Sequence, residues 1–261
     1  MTSIWPTDGG SQQRRGRTLS SVTLFVVLPA LAGWAMLAAL GLVNPAASLC
    51  LAPRPALAQT MVDAANTSLA LLTFSNVIAT AVLMMTAMSL PLAWRHAIHV
   101  RTHTFARHSA TAVVIFVLSF GIVWIVVLAF LTLIGVTSKA ILVTVLPAPA
   151  LVAIAAFMVA FHRTSNEAGT ALVQCHRMDS IRPFQPTFVT DTARFGARSA
   201  LYCARACWPA MLLPWLSSRP LLAMAVVTLL AFADRMAHRA SSRPAVVILA
   251  LFTLVEITTP L

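Results

Sequence analysis

The composition of this chain excludes an ordinary soluble domain. Of its 261 residues, 59% are hydrophobic and only 10% are charged, whereas a soluble domain carries about 25% charged residues. The net charge is +11, but the basic residues are spread between apolar runs, so we expect no nucleic-acid partner. Several of these runs exceed the roughly 18 residues that cross a bilayer as a helix. The sequence therefore predicts an all-α, polytopic transmembrane helical bundle.

About seven apolar runs make up the predicted bundle. We expect a cytoplasmic N-terminal tail at 1–19 and then a single transmembrane helical domain over 20–261. The third run carries no charge, the fifth is the most polar, and the last two are short. The predicted spans are 20–42, 69–93, 110–136, 140–161, 198–217, 220–233 and 244–260.

The lysines and arginines between the spans predict the orientation of the chain. Fourteen of them lie in the tail and in the segments 94–109, 162–198 and 234–243, and three lie in the alternate connections. This asymmetry places the N-terminus in the cytoplasm and the C-terminus outside. The first span followed by ALA at 56–58 also imitates a signal peptide, so cleavage of that span stays an open alternative.

The second span contains a methionine-rich stretch, NVIATAVLMMTAMSLP. Met84 and Met88 lie four residues apart, on one face of a helix, and Pro91 closes the segment. Methionine fills irregular gaps in helix packing, and its thioether is also a soft metal ligand. We favour packing here and keep Met84 and Met88 as secondary candidate ligands.

Four histidines follow in the basic segment after this span, at positions 96, 99, 103 and 108. The first three would share a face if the helix continued. We expect instead a loop that faces solvent or lipid headgroups.

The polar segment before the fifth span carries the sequence QCHRMD at 174–179. Cys175 and His176 are adjacent there, in what we expect to be a cytoplasmic loop. Such a pair supplies one or two metal ligands.

The fifth span itself holds Cys203 and Cys207, which stack on one face of a helix because they are four residues apart. Met211 extends the face by a turn and is a further secondary candidate. Thiolate and thioether ligands suit Cu(I), zinc or an iron–sulfur cluster, although free cysteine also packs as a small hydrophobe. With Cys175 and His176 the set has three sulfurs and one imidazole, which matches a tetrahedral site in number and type.

Two prolines and an arginine interrupt the same span. Pro209 and Pro214 lack an N–H and crowd the carbonyls four residues earlier, so we expect a kink and a free carbonyl at Arg205. The Arg205 side chain points away from the two cysteines. We expect it to pair with Asp234 or Glu256, or to reach out to the interface.

At these residues the sequence resembles a bacterial integral membrane family of predicted metal-binding proteins. The resemblance rests on MMTAMSLP, on CHRMDSIRP and on ARFGARSALYCARACWPAM, and it covers roughly residues 70–240. It implies a protein of the bacterial cytoplasmic (inner) membrane. It also implies that the metal ligands are Cys175, His176, Cys203 and Cys207.

Three functions are consistent with these features. The first is copper or zinc binding, with copper favoured, for metal handling or cofactor assembly. The second is a structural or accessory subunit of a larger membrane enzyme complex, with other membrane subunits as partners. The third is a membrane enzyme that uses the thiols, which we consider weaker because no nucleotide-binding, metalloprotease or hydrolase motif is present.

Overall fold

A computed structural model describes residues 26–39, 74–105, 107–142, 145–178, 187–237 and 242–258. Within these residues the regular structure is helical and includes no β-strand, which confirms the predicted all-α fold. The predicted tail at 1–19 and the ALA motif at 56–58 lie outside them. The helices are α1 (Val26–Ala39), α2 (Phe74–Met84), α3 (Trp94–Thr102), α4 (Ser109–Leu142), α5 (Ala148–Thr164), α6 (Asn166–His176), α7 (Phe188–Leu216), α8 (Pro220–Ala237) and α9 (Ser242–Thr258).

The second predicted span is a broken helix that runs on into the segment expected to be a loop. A π-helical turn at Met85–Ser89 and a 3₁₀ turn at Leu90–Ala93 join α2 to α3. Pro91 has no N–H to offer the carbonyl of Ala87, and the indole of Trp34 on α1 donates to that oxygen at 3.1 Å. The prediction of a loop over 94–109 is therefore wrong for residues 94–102, because the helix resumes after the proline.

Helices α4 and α7 form the central pair of the bundle and run parallel. Gly196 on α7 lies against the backbone of Phe116, where an added Cβ would come within 2.7 Å of its carbonyl oxygen. Gly135 on α4 lies against Trp215, where an added Cβ would come within 2.6 Å of the ring. From the first contact to the second, the residue numbers rise along both helices, so the helices are parallel. Each glycine permits a close approach of the two helices.

The polar segment expected to be a loop over 162–198 instead holds α6 and the first turns of α7. Ser165 caps α6, because its hydroxyl accepts a hydrogen bond from the N–H of Ala168 at 3.2 Å. Glu167 lies in the first turn of α6, where a carboxylate complements the helix dipole. The prediction of a loop was wrong because the Ser165 cap and the Glu167 carboxylate stabilise a helix in this polar segment.

The described part of the chain does not support seven spans by length and composition. Two helical stretches are long and apolar enough to cross a membrane, Val77–Thr102 and Ser109–Lys139. Shorter apolar helices match the predicted spans 20–42, 140–161 and 244–260. The predicted spans 198–217 and 220–233 lie inside α7 and α8. Arg205, Pro209 and Pro214 lower the hydropathy of α7.

Candidate metal centre

The guanidinium of Arg235, on α8, lies at the centre of a buried cluster formed by four helices. Its Nη1 donates to the sulfur of Cys175 on α6 at 3.0 Å and lies 4.0 Å from the sulfur of Cys203 on α7. Its Nη2 contacts Nδ1 of His96 on α3. Only 5% of Arg235 is exposed. Two thiols and one imidazole therefore surround a single positive charge.

His96 is buried, and only 1% of it is exposed. Its ring stacks parallel to Phe116 at 6.3 Å and lies 5.5 Å from Phe195. Its Nε2 donates to the carbonyl oxygen of Cys175 at 2.8 Å, which leaves Nδ1 as the nitrogen that faces Arg235. The expectation that this histidine faces solvent or headgroups was wrong, because α3 carries it into the core.

Cys175 is buried near the C-terminal end of α6 and faces α7. Its sulfur lies 3.9 Å from the carbonyl oxygen of Ser199. A hydrogen bond with Cys203 and burial both raise the pKa of the Cys175 thiol well above its usual value, and these effects outweigh the nearby Arg235 charge.

Cys203 and Cys207 share a helix face, as the four-residue spacing predicts, but their surroundings differ. Cys203 is buried and takes part in the cluster. The thiol of Cys207 is only partly buried and donates to the carbonyl oxygen of Cys203 at 2.9 Å. Cys207 thus lies one turn farther along α7, where its thiol adjoins that of Cys203, while the sulfurs that Arg235 contacts are those of Cys175 and Cys203.

His176 contacts the cluster through the backbone of α8. Its Nδ1 lies 2.7 Å from the carbonyl oxygen of Leu172, and its Nε2 lies 3.1 Å from the carbonyl oxygen of Arg235. Both ring nitrogens are thus directed at backbone oxygens. In this arrangement His176 holds the end of α8 against α6. Among the described residues, no three or more Cys, His, Asp or Glu side chains form a group that could hold a metal ion.

The candidate methionines lie in the apolar core. Met84, Met88 and Met211 are each almost completely buried among hydrophobic side chains. Met84 directly precedes the π-helical turn, and Met88 lies within it. Such turns often mark functional sites. Their burial is what helix packing requires, so it does not by itself assign them to a metal.

Arg205 has a different partner from the two acids expected for it. It pairs with Glu167 on α6 at 3.0 Å, and both side chains are more than half exposed. Asp234 instead pairs with Arg163 in a largely buried ion pair, and Glu256 accepts hydrogen bonds at the other end of the bundle. The carbonyl of Arg205 accepts from Nε2 of His162 at 3.1 Å, which confirms that Pro209 frees this oxygen for a side-chain donor.

Sequence reasoning missed His96 and Arg235, although helical periodicity carries a signal for both. Ala93, His96, Ala97 and Val100 are all buried at the spacing of one helix face. Arg235 lies eleven residues, or about three turns, after buried Met224 on α8. Each polar residue therefore falls in register with an apolar stripe, and such a position in a core usually needs a partner.

A small cleft opens beside the cluster. Its walls include Phe195, whose ring contacts His96, and Ser199, whose carbonyl contacts the sulfur of Cys175. Arg177 and Arg198 are exposed at its edge. In the wall of the cleft, Phe195 therefore lies between the surface and the His96 imidazole, and Ser199 lies between the surface and the Cys175 thiol.

A protein-family model described as PpoB2, copper chaperone, matches residues 78–257. The match spans more than half of the chain and contains every residue of the cluster. The curated proteins give no match, and neither do the solved structures.

Proposed function

The chain belongs to the PpoB2 family of copper chaperones, and on this basis we propose that it binds Cu(I) through Cys175 and Cys203. It then passes the ion to an acceptor protein or to a cofactor under assembly. One observation carries the assignment of the site. Two helices that are separate in sequence bring these two thiols together around a single buried cation.

The chemistry of these residues fits the cargo. Thiolates are soft ligands that suit Cu(I), and a neutral buried thiol must release its proton to solvent when it binds a metal. Cys207 and His176 lie one turn away on α7 and at the end of α6. In this arrangement their polar atoms contact backbone oxygens. We therefore propose them as flanking residues that serve in copper entry or transfer and not as ligands of the bound ion.

We also propose that the protein is embedded in a membrane, the bacterial cytoplasmic membrane that the sequence resemblance implies. Support comes from the outer face of α4. Leu118, Ile122, Val126 and Phe130 recur every four residues, and each is 59–64% exposed. A continuous apolar face of this kind is unusual on a water-soluble monomer, whereas lipid tails would cover it at no cost.

The packing of the bundle supports the proposed orientation, with the N-terminus in the cytoplasm. The parallel α4 and α7 correspond to the third and fifth predicted spans, which cross in the same direction. His96, Cys175 and Arg235 come from the three basic segments predicted to be cytoplasmic, and they meet at one end of the bundle. Copper handling would then take place at the cytoplasmic end.

A second candidate function is that of an accessory subunit in a larger membrane complex. Helices α5 and α9 have 17 residues each, fewer than the roughly 20 that span a bilayer. Both expose large apolar side chains, including Phe157 and Phe161 on α5 and Leu251 and Leu254 on α9. Other membrane subunits could cover these faces, and this role does not exclude copper binding.

Elemental analysis of the purified full-length chain tests the copper function. Protein in mild detergent is loaded anaerobically with Cu(I), freed of excess metal and analysed for copper and zinc. We expect about one copper per chain in the wild type and almost none in the double variant Cys175→Ser with Cys203→Ser. Cys50→Ser is the matched control, because it also removes one thiol but lies outside the residues 78–257 that the family model matches. Equal copper in the wild type and the double variant would refute the proposal, and retention of zinc alone would change the cargo.

A further inference from the structure

We propose that the cleft between α6 and α7 binds the phosphate-bearing headgroup of an anionic phospholipid at the cytoplasmic face of the membrane. This inference rests on the membrane embedding and the orientation proposed above, and it is independent of the metal that the protein carries. It assigns a ligand to a cleft that the proposed copper function leaves unused.

The lining of the cleft carries positive charge. Arg177, at the end of α6, and Arg198, on α7, are exposed at its edge. The other described residues of the lining are uncharged: Gln174, Phe195, Ser199 and Tyr202. A guanidinium group is planar and matches the oxygens of a phosphate with two parallel N–H donors. The cleft therefore suits a phosphate group better than a cation.

The described carboxylates of the two helices belong to other contacts. Glu167, on α6, pairs with Arg205 at 3.0 Å. Asp191, on α7, accepts a hydrogen bond from the hydroxyl of Thr187 at 3.1 Å. Neither acid is among the described residues that line the cleft. The lining thus presents two positive charges and, within the described residues, no negative one.

Helices α6 and α7 run antiparallel beside the cleft, which gives its depth in the proposed membrane. Glu167 pairs with Arg205, whereas Cys175, farther along α6, lies 3.9 Å from the carbonyl oxygen of Ser199, which is earlier on α7. The end of α6 therefore lies beside the earlier turns of α7. In the proposed orientation α7 leaves the cytoplasm, so both cleft arginines lie on the cytoplasmic side.

Exposed apolar side chains border the two arginines on the side toward the membrane interior. Val173 is 64% exposed and lies one turn before Arg177 on α6, and Leu201 is 50% exposed and lies one turn after Arg198 on α7. Residues three or four apart are neighbours on a helix surface, so each apolar side chain adjoins its arginine. Basic groups at one level and apolar groups at the next match a charged headgroup and the acyl chains attached to it.

The one tyrosine of the chain lies in the same wall. Tyr202 lines the cleft and is half-buried. Tyrosine is enriched where the membrane meets water, because its ring is apolar and its hydroxyl is polar. Basic pockets between transmembrane helices on the cytoplasmic side bind anionic lipid headgroups. Charge, depth and the flanking apolar side chains therefore agree on a phospholipid as the occupant.

Native mass spectrometry of the full-length protein tests the selection of the headgroup. Protein in mild detergent is mixed with phosphatidylglycerol and phosphatidylcholine that have identical acyl chains, and the retained lipids are counted. We expect the wild type to prefer phosphatidylglycerol. The double variant Arg177→Gln with Arg198→Gln should lose at least about tenfold of that preference, since each basic residue near an anionic surface contributes about fivefold.

The matched control is Arg95→Gln with Arg205→Gln, which removes two exposed arginines outside the cleft lining and should keep the preference. If the first double variant fails to fold, its single variants decide. Each should lose about fivefold of the preference, and an unchanged preference in both overturns the proposal.

Two further arms separate the lipid from other anions. Excess inorganic phosphate, compared with chloride at equal ionic strength, should leave the lipid bound because free phosphate has no acyl chains. Displacement by phosphate would assign the cleft to free phosphate and overturn the proposal. Polyglutamate should also leave the lipid bound, and displacement by it would assign the cleft to an acidic protein and overturn the proposal as well.

The outcomes separate this inference from the proposed function. A chain that alkaline carbonate releases from washed membranes refutes the membrane embedding itself. A chain that stays in the membrane but retains the two lipids equally overturns the headgroup site, and it leaves the embedding and the copper function intact.

Discussion

The two ends of the bundle each bury an ionisable side chain, and they satisfy it in opposite ways. At one end Arg235, 5% exposed, contacts sulfur and imidazole. At the other end Glu256, also 5% exposed, accepts hydrogen bonds from the hydroxyls of Ser217 and Ser218 and from the N–H of Arg219 at 3.3 Å.

The difference separates a structural contact from a candidate functional one. Hydroxyl and backbone N–H donors are the ordinary partners of a buried carboxyl group, and here they join α9 to the connection between α7 and α8. Thiols and a neutral imidazole are poor partners for a guanidinium. The end with Arg235 therefore keeps a costly arrangement, whereas the end with Glu256 is already satisfied. We expect changes at the two ends to separate stability from copper binding.

The largest expected effect comes from Asp234→Asn, beside Arg235. It removes the negative charge from the largely buried Arg163–Asp234 ion pair, and breaking such a pair costs about 3–5 kcal/mol. We expect a large fall in the denaturation midpoint in mild detergent, together with weaker copper binding. A stability within about 1 kcal/mol of the wild type would show that water screens this pair.

Alanine at two glycines tests the two ends with the same change. Gly196→Ala pushes a methyl group against the Phe116 backbone near His96, and Gly135→Ala pushes one against Trp215 near the other end. Overpacking of this kind costs about 1–3 kcal/mol. We expect both variants to lose stability in thermal unfolding, but only Gly196→Ala to weaken Cu(I) binding.

Gly169→Ala is the control for both variants. Nothing lies within 4 Å of its added methyl group, so the loss of backbone freedom in the unfolded chain should stabilise α6 by about 0.5–1 kcal/mol. Equal effects of Gly196→Ala and Gly135→Ala on copper affinity would contradict the separation of the ends.

Glu256→Gln tests the end that is already satisfied. The amide keeps one acceptor oxygen but replaces the other with a donor, so part of the hydrogen bonding from Ser217, Ser218 and Arg219 is lost. We expect a loss of about 1–2 kcal/mol in the free energy of unfolding and an unchanged copper affinity in competition with a Cu(I) chelator. A shift in copper affinity would mean that the two ends are coupled through the bundle.

The smallest effect is expected for Arg205→Gln. Its ion pair with Glu167 is more than half exposed, and such pairs contribute less than about 1 kcal/mol. Chemical denaturation should detect little change, and copper uptake should be that of the wild type. A loss comparable to that of Asp234→Asn would indicate that a membrane or a partner covers this side chain.

The sequence by itself determined the helical class, the position of the long apolar α4 and the local consequences of proline. The free carbonyl expected at Arg205 was found with a side-chain donor, since a missing N–H acts on the backbone four residues earlier whatever surrounds it. The shared face of Cys203 and Cys207 followed from spacing alone. These features depend on local geometry, which periodicity describes well.

Only the tertiary structure decided which of the candidate residues meet. The Cys203 thiol contacts both Cys175 and Cys207, whereas His176 turns to the backbone of α8. His96 and Arg235 complete the cluster from segments at least 32 residues away in sequence. Periodicity assigns a residue to a face of its own helix, but the neighbour of that face is set by how helices pack, and this depends on side-chain shapes along the whole interface.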